Sequence, residues 1–594
     1  MSELIGKNPS FEGQKEPVGK WSLPEIYSVQ QDGGYSSTPR REHFLRQKIE
    51  NIKPEHGTHQ AQIVNLPFTT RPGDRQVSTS FTLDINPEDY DVITAGPHMW
   101  SQSTSVKTSG LLTKILPLPT NRVIGRRPYQ ESLEDARYSY YEPGDENKNP
   151  SAKEGRSYGF VAFRNKQTGE NLMLGTIPSL DTFERISYGI KDGKFVVSVH
   201  KDFEGITTPR ESAFKVFLGS VDSDWTLPEQ GRYADLLNLY SQELAKIKGD
   251  TPLLENSVIG FSWPAYGHGI NQNIIEEEIE AGKRIVDIYI IDAGWAAGGA
   301  NPENVYKADT QKFPDLPGLA QKMKDAGIKP GIWVAPFALY SLKHIPASLK
   351  PLQDTKGKPA KSPFPIRENY KLSALVGPIF GKNPASLDIS IPQTREYISQ
   401  QFVALTNMGF EVFKLDFLSH AFAAKMERHD KTSIEYYRQT IQEIRETVRQ
   451  QLGKEITLIG CGGPWLESIG LFNGSRMTSD SANPLLSKNI PPRKVTAKID
   501  EGINTYLYRN AAAVAARRAI PFRNNFGMIF DGIHIDPKVG SAKRKALYNR
   551  SILALRNLGI SNMFVGDSLR DVPADVKQQW KEFVQVFKAS NTEG

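Results

Sequence analysis

The stretch TREYISQQFVALTNMGFEVFKLDFLSH, residues 394–420, holds a helix, a break and a strand. Ile398, Phe402 and Leu405 recur at helical spacing, and the period stops at Gly409. Val412, Phe413 and Leu415 then read as a short buried strand, with Lys414 and Asp416 at its end. Alternate strand positions share a face, so these two charges point the same way. Burying unpaired charge costs several kcal/mol. The pair therefore neutralises itself structurally or serves chemistry.

The same unit repeats outward from there. Strand candidates are SVIGFSW, VDIYIID, KPGIWVA, ASLDI, FEVFKLD, ITLIGC, SRMTS and a stretch near PFRNNFGMIF. Helices lie between them. In TSIEYYRQTIQEIRETVRQQLG, the residues Ile434, Tyr437, Ile441, Ile444, Val448 and Leu452 keep a period near 3.6, and Gly453 reads as a C-cap. Eight strand–helix alternations over about 320 residues predict a (β/α)₈ TIM barrel. The alternative, a doubly wound open sheet, normally announces itself by G-x-G-x-x-G after an early strand, and none is present. The first 250 residues differ. SFTLDI, YGFVAF, LMLGTI, FVVSVH and AFKVFLG alternate with period two between turn signals such as KDGK, as in a β-sandwich. GRYADLLNLYSQELAKIKGD reads as a linker helix. The expected division is a sandwich-like domain over 1–250 and a catalytic barrel over 251–594, with too few residues after the barrel for a C-terminal β-domain.

Composition excludes several classes. The 594 residues carry 73 basic and 67 acidic side chains, a net charge of +6. No dense basic stripe is present, so nucleic acid is not an expected partner. Residues 543–545 read as a solvated helix face. No run of 18 apolar residues suggests a membrane span. The single cysteine, Cys461, allows no intrachain disulfide, and the first 20 residues have no apolar signal core. A cytoplasmic protein is expected. The ten histidines show no metal-ligand spacing; His420, His429 and His534 (near Asp536) read as surface or core residues. Neither metal nor organic cofactor is expected.

Barrel active sites sit at the C-terminal strand ends. The residues there are Trp263, Asp292, Asp388, Asp416, Cys461 and, just past a strand, Asp480. One aspartate at a strand end is commonly a helix N-cap, but several from different strands are not so easily explained. Two carboxylates among aromatic walls suit glycoside cleavage, one ionised and one protonated. Lys414 is expected to favour the ionised form of Asp416. A nearby carboxylate would raise Asp480, while Arg476 pulls the other way. Trp263, Trp295, Trp333 and Trp465 can stack on sugar faces, although Trp333 lies inside an apolar strand and reads better as core.

VDIYIIDAGW, FPDLPGLAQKMKDAGIKPGIWVAPF, SLDISIPQTREYISQQF, FKLDF and GCGGPWLESIGLFNGSRMTSD occur in that order. Together they resemble the melibiase-like glycoside hydrolases of family 36, relatives of the family 27 α-galactosidases. The resemblance covers about 255–566, and more loosely the chain from about 155. It implies a retaining double displacement on α-glycosides, usually α-galactosides. The K-x-D aspartate, the family's nucleophile, falls on Asp416. The aspartate of R-x-x-x-D, its general acid/base, falls on Asp480. Lys414, Arg476 and Asp292 would bind sugar hydroxyls, Cys461 and Gly462 would line the floor, and Trp263 and Tyr266 fall in the motif that opens the barrel. Two departures stand out: the family's paired aspartates before G-W are here Asp292 and Ala293, and the segment after the third strand is long and rich in Pro and Lys. The expected partner is an oligosaccharide or glycoside, and a homo-oligomer is allowed. Rival readings are a transglycosylase of the raffinose-synthase kind, a non-catalytic carbohydrate-binding protein on a decayed scaffold, and an aldolase using Lys414.

Overall fold

A computed structural model describes residues 20–22, 25–30, 35–36, 48–52, 59–94, 155–221, 229–247, 249, 251–296, 307–339, 385–422, 426–428, 430–476, 525–529, 546, 548–549 and 562–590. The chain divides into two compact units, Met1–Ile93 with Ser151–Ser179 and Glu184–Tyr240, and Thr94–Pro150 with Leu180–Phe183 and Ser241–Gly594.

The first unit contains two six-stranded antiparallel sheets. Period-two alternation drives the sandwich: Phe81, Val197 and Val199 from one sheet meet Val161, Leu174 and Val216 from the other in one buried core. The expected strands are found at Asp74–Leu83, Phe160–Asn165, Asn171–Thr176, Lys194–Asp202 and Glu211–Val221. A helix is found at Glu229–Ala245, where the sequence pattern placed one.

The second unit is a parallel eight-stranded barrel. Its strands are β1 (Val258–Phe261), β2 (Ile288–Ile291), β3 (Lys329–Val334), β4 (Val412–Leu415), β5 (Thr457–Gly460), β6 (Gly474–Arg476), β7 (Gly527–Ile529) and β8 (Met563–Val565). They pair in that order, β8 returns to β1, and an Ile529–Asn562 bridge joins β7 to β8. Asn562 stitches the seam: its Nδ2 donates to the Leu254 carbonyl at 2.6 Å and its Oδ1 accepts the Ser257 N–H at 3.2 Å. No helix among the described residues is long and apolar enough to cross a membrane.

Two strand expectations need correction. ASLDI contributes only Ala385–Ser386, which pairs antiparallel with Ala338–Leu339 outside the barrel. The missing barrel strand is β8. FKLD therefore ends strand four, Cys461 follows strand five and Arg476 ends strand six.

The helices follow their sequence signals. They are α1 (Gln272–Gly282), α2 (Leu316–Asp325), α3 (Pro392–Asn407), α4 (Ser433–Leu452) and α5 (Ala574–Ser590). Thr432 and Glu435 form a reciprocal capping box before α4. Gly453 ends α4 at φ 63°, a left-handed turn that costs glycine little.

Candidate active site

Strand alternation selects what enters the barrel. Ile259 and Phe261, Ile288 and Ile290, Val412, Ile459, Ile529 and Phe564 share one buried core. Continuing each inward row by two residues reaches Asp292 after β2, Lys414 and Asp416 from β4, and Cys461 after β5. Phe261 and Phe564 stack at 3.8 Å, and Lys414 Nζ lies 5.2 Å from the Phe261 ring centre. The polar row thus stands on an apolar floor.

Lys414 does not pair with its strand neighbour. Its Nζ donates to Asp292 Oδ2 at 2.7 Å, and both side chains are buried. Two residues along a strand separate side chains by roughly 6.6 Å, whereas adjacent strands are about 4.8 Å apart, so the cross-sheet partner is within better reach. Burial alone would lower the Lys414 pKa, but Asp292 and then Asp416 carry it above its usual value. The lysine is a fixed cation, unlike the neutral amine an aldolase needs. The Asp292 N–H donates to Ser262 Oγ at 2.9 Å, and its own Oδ1 accepts the Ala293 N–H at 2.7 Å.

Asp416 is held from two sides. Trp333 Nε1 donates to Oδ2 at 2.8 Å, and the Phe417 N–H donates to Oδ1 at 2.9 Å. Phe417 has φ 54°, a left-handed backbone that turns the chain immediately after the carboxylate. Lys414 favours the ionised form of Asp416, as expected, but it is not the largest influence. Burial pushes this carboxyl up, and Lys414, the Trp333 hydrogen bond and Arg476 offset it only in part. Arg476 is buried, and its Nη1 donates to Cys461 Sγ at 3.5 Å. Gly462 follows with φ 73°.

The tryptophans separate. Trp263 is half-buried and opens a helical turn after β1. Trp295 is fully buried and donates Nε1 to the Trp333 carbonyl at 2.8 Å, so its ring packs the wall and offers no open face to a sugar. Trp465 is also buried, edge-on to Phe526. Trp333 is buried, as read, and its Nε1 also contacts Asp416; it lies opposite Lys414 in the β3–β4 register, and that alignment was the signal available for the contact. Ala293 sits with Trp333, Ala335 and Ala338 in a small apolar cluster touched by Trp263 and Phe417. Tyr266 donates to the buried Glu278 at 2.7 Å, and burial lifts its pKa to about 12. Asp388 is bound by the Ser390 N–H and hydroxyl and the Glu427 N–H; it caps the turn before α3 and does not end a barrel strand. Asp480, His429, His534, Asp536, residues 543–545 and the Pro/Lys-rich segment lie outside the described residues. No cluster of three potential metal ligands occurs among the described residues.

His420 is a core histidine, fully buried beside Phe417, and burial lowers its pKa to about 3. The unfolded imidazole titrates near 6.5. The unfolded chain therefore binds the extra proton first, and stability falls as pH drops from that value towards the folded one. Going from pH 7 to 5 should cost about 2 kcal/mol through this group. Comparing the pH dependence of Tm with that of His420→Phe checks this; an unchanged slope would refute it.

No protein-family model matches the sequence. Solved structures do resemble the chain. An α-galactosidase from Thermus thermophilus, TtGalA, in complex with stachyose, matches 90% of this chain and 99% of its own at 16% identity and TM-score 0.57. The GH36 α-galactosidase AgaA from Geobacillus stearothermophilus matches 95% of this chain and 75% of its own at 14% identity and TM-score 0.55. The α-galactosidase from Lactobacillus brevis matches 97% and 74% at 14% identity and TM-score 0.53. The chain has the fold of the GH36 α-galactosidases.

Proposed function

We propose that this protein is a retaining α-glycoside hydrolase of the α-galactosidase kind, with Asp416 as nucleophile and Asp480 as general acid/base. The observation that carries this reading is the state of Asp416. A buried carboxylate stands at the C-terminal end of a barrel strand, each oxygen receives one N–H, and Lys414 and Arg476 lie close enough to influence it. In the first step Asp416 attacks the anomeric carbon, the glycosidic C–O bond breaks, and Asp480 gives its proton to the departing oxygen. In the second, Asp480 takes a proton from water, whose oxygen displaces Asp416 and restores the starting configuration. The Lys414–Asp292 pair leaves Lys414 two further hydrogens and Asp292 lone pairs for sugar hydroxyls.

The solved relatives add weight, since TtGalA has been seen with stachyose and with p-nitrophenyl α-D-galactopyranoside. The proposed division of labour keeps the sandwich non-catalytic and assigns chemistry to the barrel. The test is a panel of nitrophenyl α- and β-glycosides, with the first-formed anomer followed by NMR and with and without an added sugar acceptor. Release of α-galactose with retained configuration is the expected result. No turnover of any α-glycoside would reject the proposal, and product found only on the acceptor would convert it to a transglycosylase.

A further inference from the structure

Asp416 sits in a clamp whose parts brace one another. Phe417 gives its N–H to Oδ1, and its ring stands edge-on to the Trp333 indole with centres 6.3 Å apart. Trp333 gives its Nε1–H to Oδ2 at 2.8 Å. The three residues thus close a ring around the carboxyl group. Backbone contacts fix it in place. The Asp416 N–H donates to the Val334 carbonyl at 2.8 Å, and the Trp333 carbonyl accepts the Trp295 indole N–H at 2.8 Å. Ala293, Ala335 and Ala338, all buried, share one apolar cluster with Trp333. The indole cannot swing away without opening that wall. Apolar packing needs the ring but not its nitrogen, so the N–H aimed at the carboxylate calls for a reason of its own.

The two halves of a double displacement ask opposite things of such a donor. In the first, the carboxylate loses charge as its oxygen bonds to the anomeric carbon. In the second, that C–O bond breaks and its electron pair returns to the carboxyl group. The water oxygen takes its place on carbon, and the water proton passes to Asp480. A preorganised donor accelerates the step in which charge develops on its acceptor. Hydrogen bonds to ionised groups are also roughly twice as strong as neutral ones. The Trp333 N–H therefore gives the first step nothing and favours the second. Burial raises the Asp416 pKa, and the Trp333 bond works against that rise.

We propose that Trp333 is a positioning residue for release of the sugar, its indole N–H holding Asp416 and making it the better leaving group when water attacks. This rests on the glycosidase reading and on Asp416 as its nucleophile.

Trp333→Phe removes the N–H and keeps an aromatic ring in the wall. The substrate is the nitrophenyl α-glycoside that the natural protein turns over fastest. Stopped-flow release of nitrophenol reads the first step, and decay of the glycosyl-enzyme by intact mass reads the second. In the variant the second step should slow at least tenfold. The first should change less than threefold at a pH where Asp416 is ionised. The glycosyl-enzyme should then accumulate, kcat and KM should fall together, and the acid limb of kcat/KM should move to higher pH. Both steps slowing alike, with the acid limb unmoved, would mean packing alone and would overturn the inference while leaving the glycosidase standing. Failure of the natural protein to turn over any α-glycoside would reject both. A second readout needs no folded Trp333 variant. The chain has eight tryptophans. One indole N–H resonance in the NMR spectrum of the natural protein should shift with pH as Asp416 titrates, and should lose that shift in Asp416→Gly. Indole resonances that all ignore that titration would overturn the inference.

Discussion

Asp416→Gly should lower turnover of the best aryl α-glycoside by on the order of 10⁴-fold or more, because a covalent mechanism loses its nucleophile outright. Glycine also opens a space the size of the carboxylate. Azide should enter it and restore part of the rate, giving a glycosyl azide of inverted configuration. The fold should survive, since the substitution removes a buried carboxyl that burial already disfavours in its ionised form. It leaves the Trp333 N–H without that acceptor, a cost of about 1–3 kcal/mol. Near-normal turnover by the variant would refute the assignment. The elevated pKa has a companion effect: the acid limb of kcat/KM for the natural protein should lie above that of an ordinary exposed aspartate.

Asp480→Ala should divide substrates by their leaving groups. General acid catalysis contributes about 10²–10⁴-fold, and a nitrophenolate needs little of it whereas a sugar alcohol needs all of it. Loss on an oligosaccharide should therefore approach that range, while the first step on a nitrophenyl glycoside suffers much less. Azide should speed breakdown of the glycosyl-enzyme with retained configuration, because it needs no base. The same fractional loss on both substrates would show that Asp480 does not protonate the leaving group. A retaining pair also requires carboxyl groups about 5–5.5 Å apart, which a structure with a bound inhibitor would measure.

How much of this was legible follows from particular residues. Lys414 and Asp416 declared themselves because two charges on an otherwise apolar strand violate the burial pattern. Gly453 and the period of α4 fixed that helix to the residue. The eighth strand, Met563–Val565, was passed over because ASLDI carried the composition of a strand and completed the count of eight, although it pairs outside the barrel. The ion-pair partner of Lys414 was left open by the sequence, since the partner lies across the sheet at Asp292 and lateral register is not written in one strand. Trp333 was legible as core, but only its alignment with Lys414 across the sheet reveals that it also reaches the carboxylate.

The seam at Asn562 has a consequence for biosynthesis. Ser257 and Asn562 are 305 residues apart, yet they share one hydrogen bond where β8 meets β1. A ribosome delivers β1 first and the strand that covers its outer edge last. Throughout translation of the barrel, β1 carries a row of unsatisfied backbone groups open to stray strand pairing. The nascent chain cannot retire that edge by folding progressively, because closure waits on residues from its far end, and contacts of such long range form slowly. Until β8 emerges, no other strand of the barrel can cover that edge of β1.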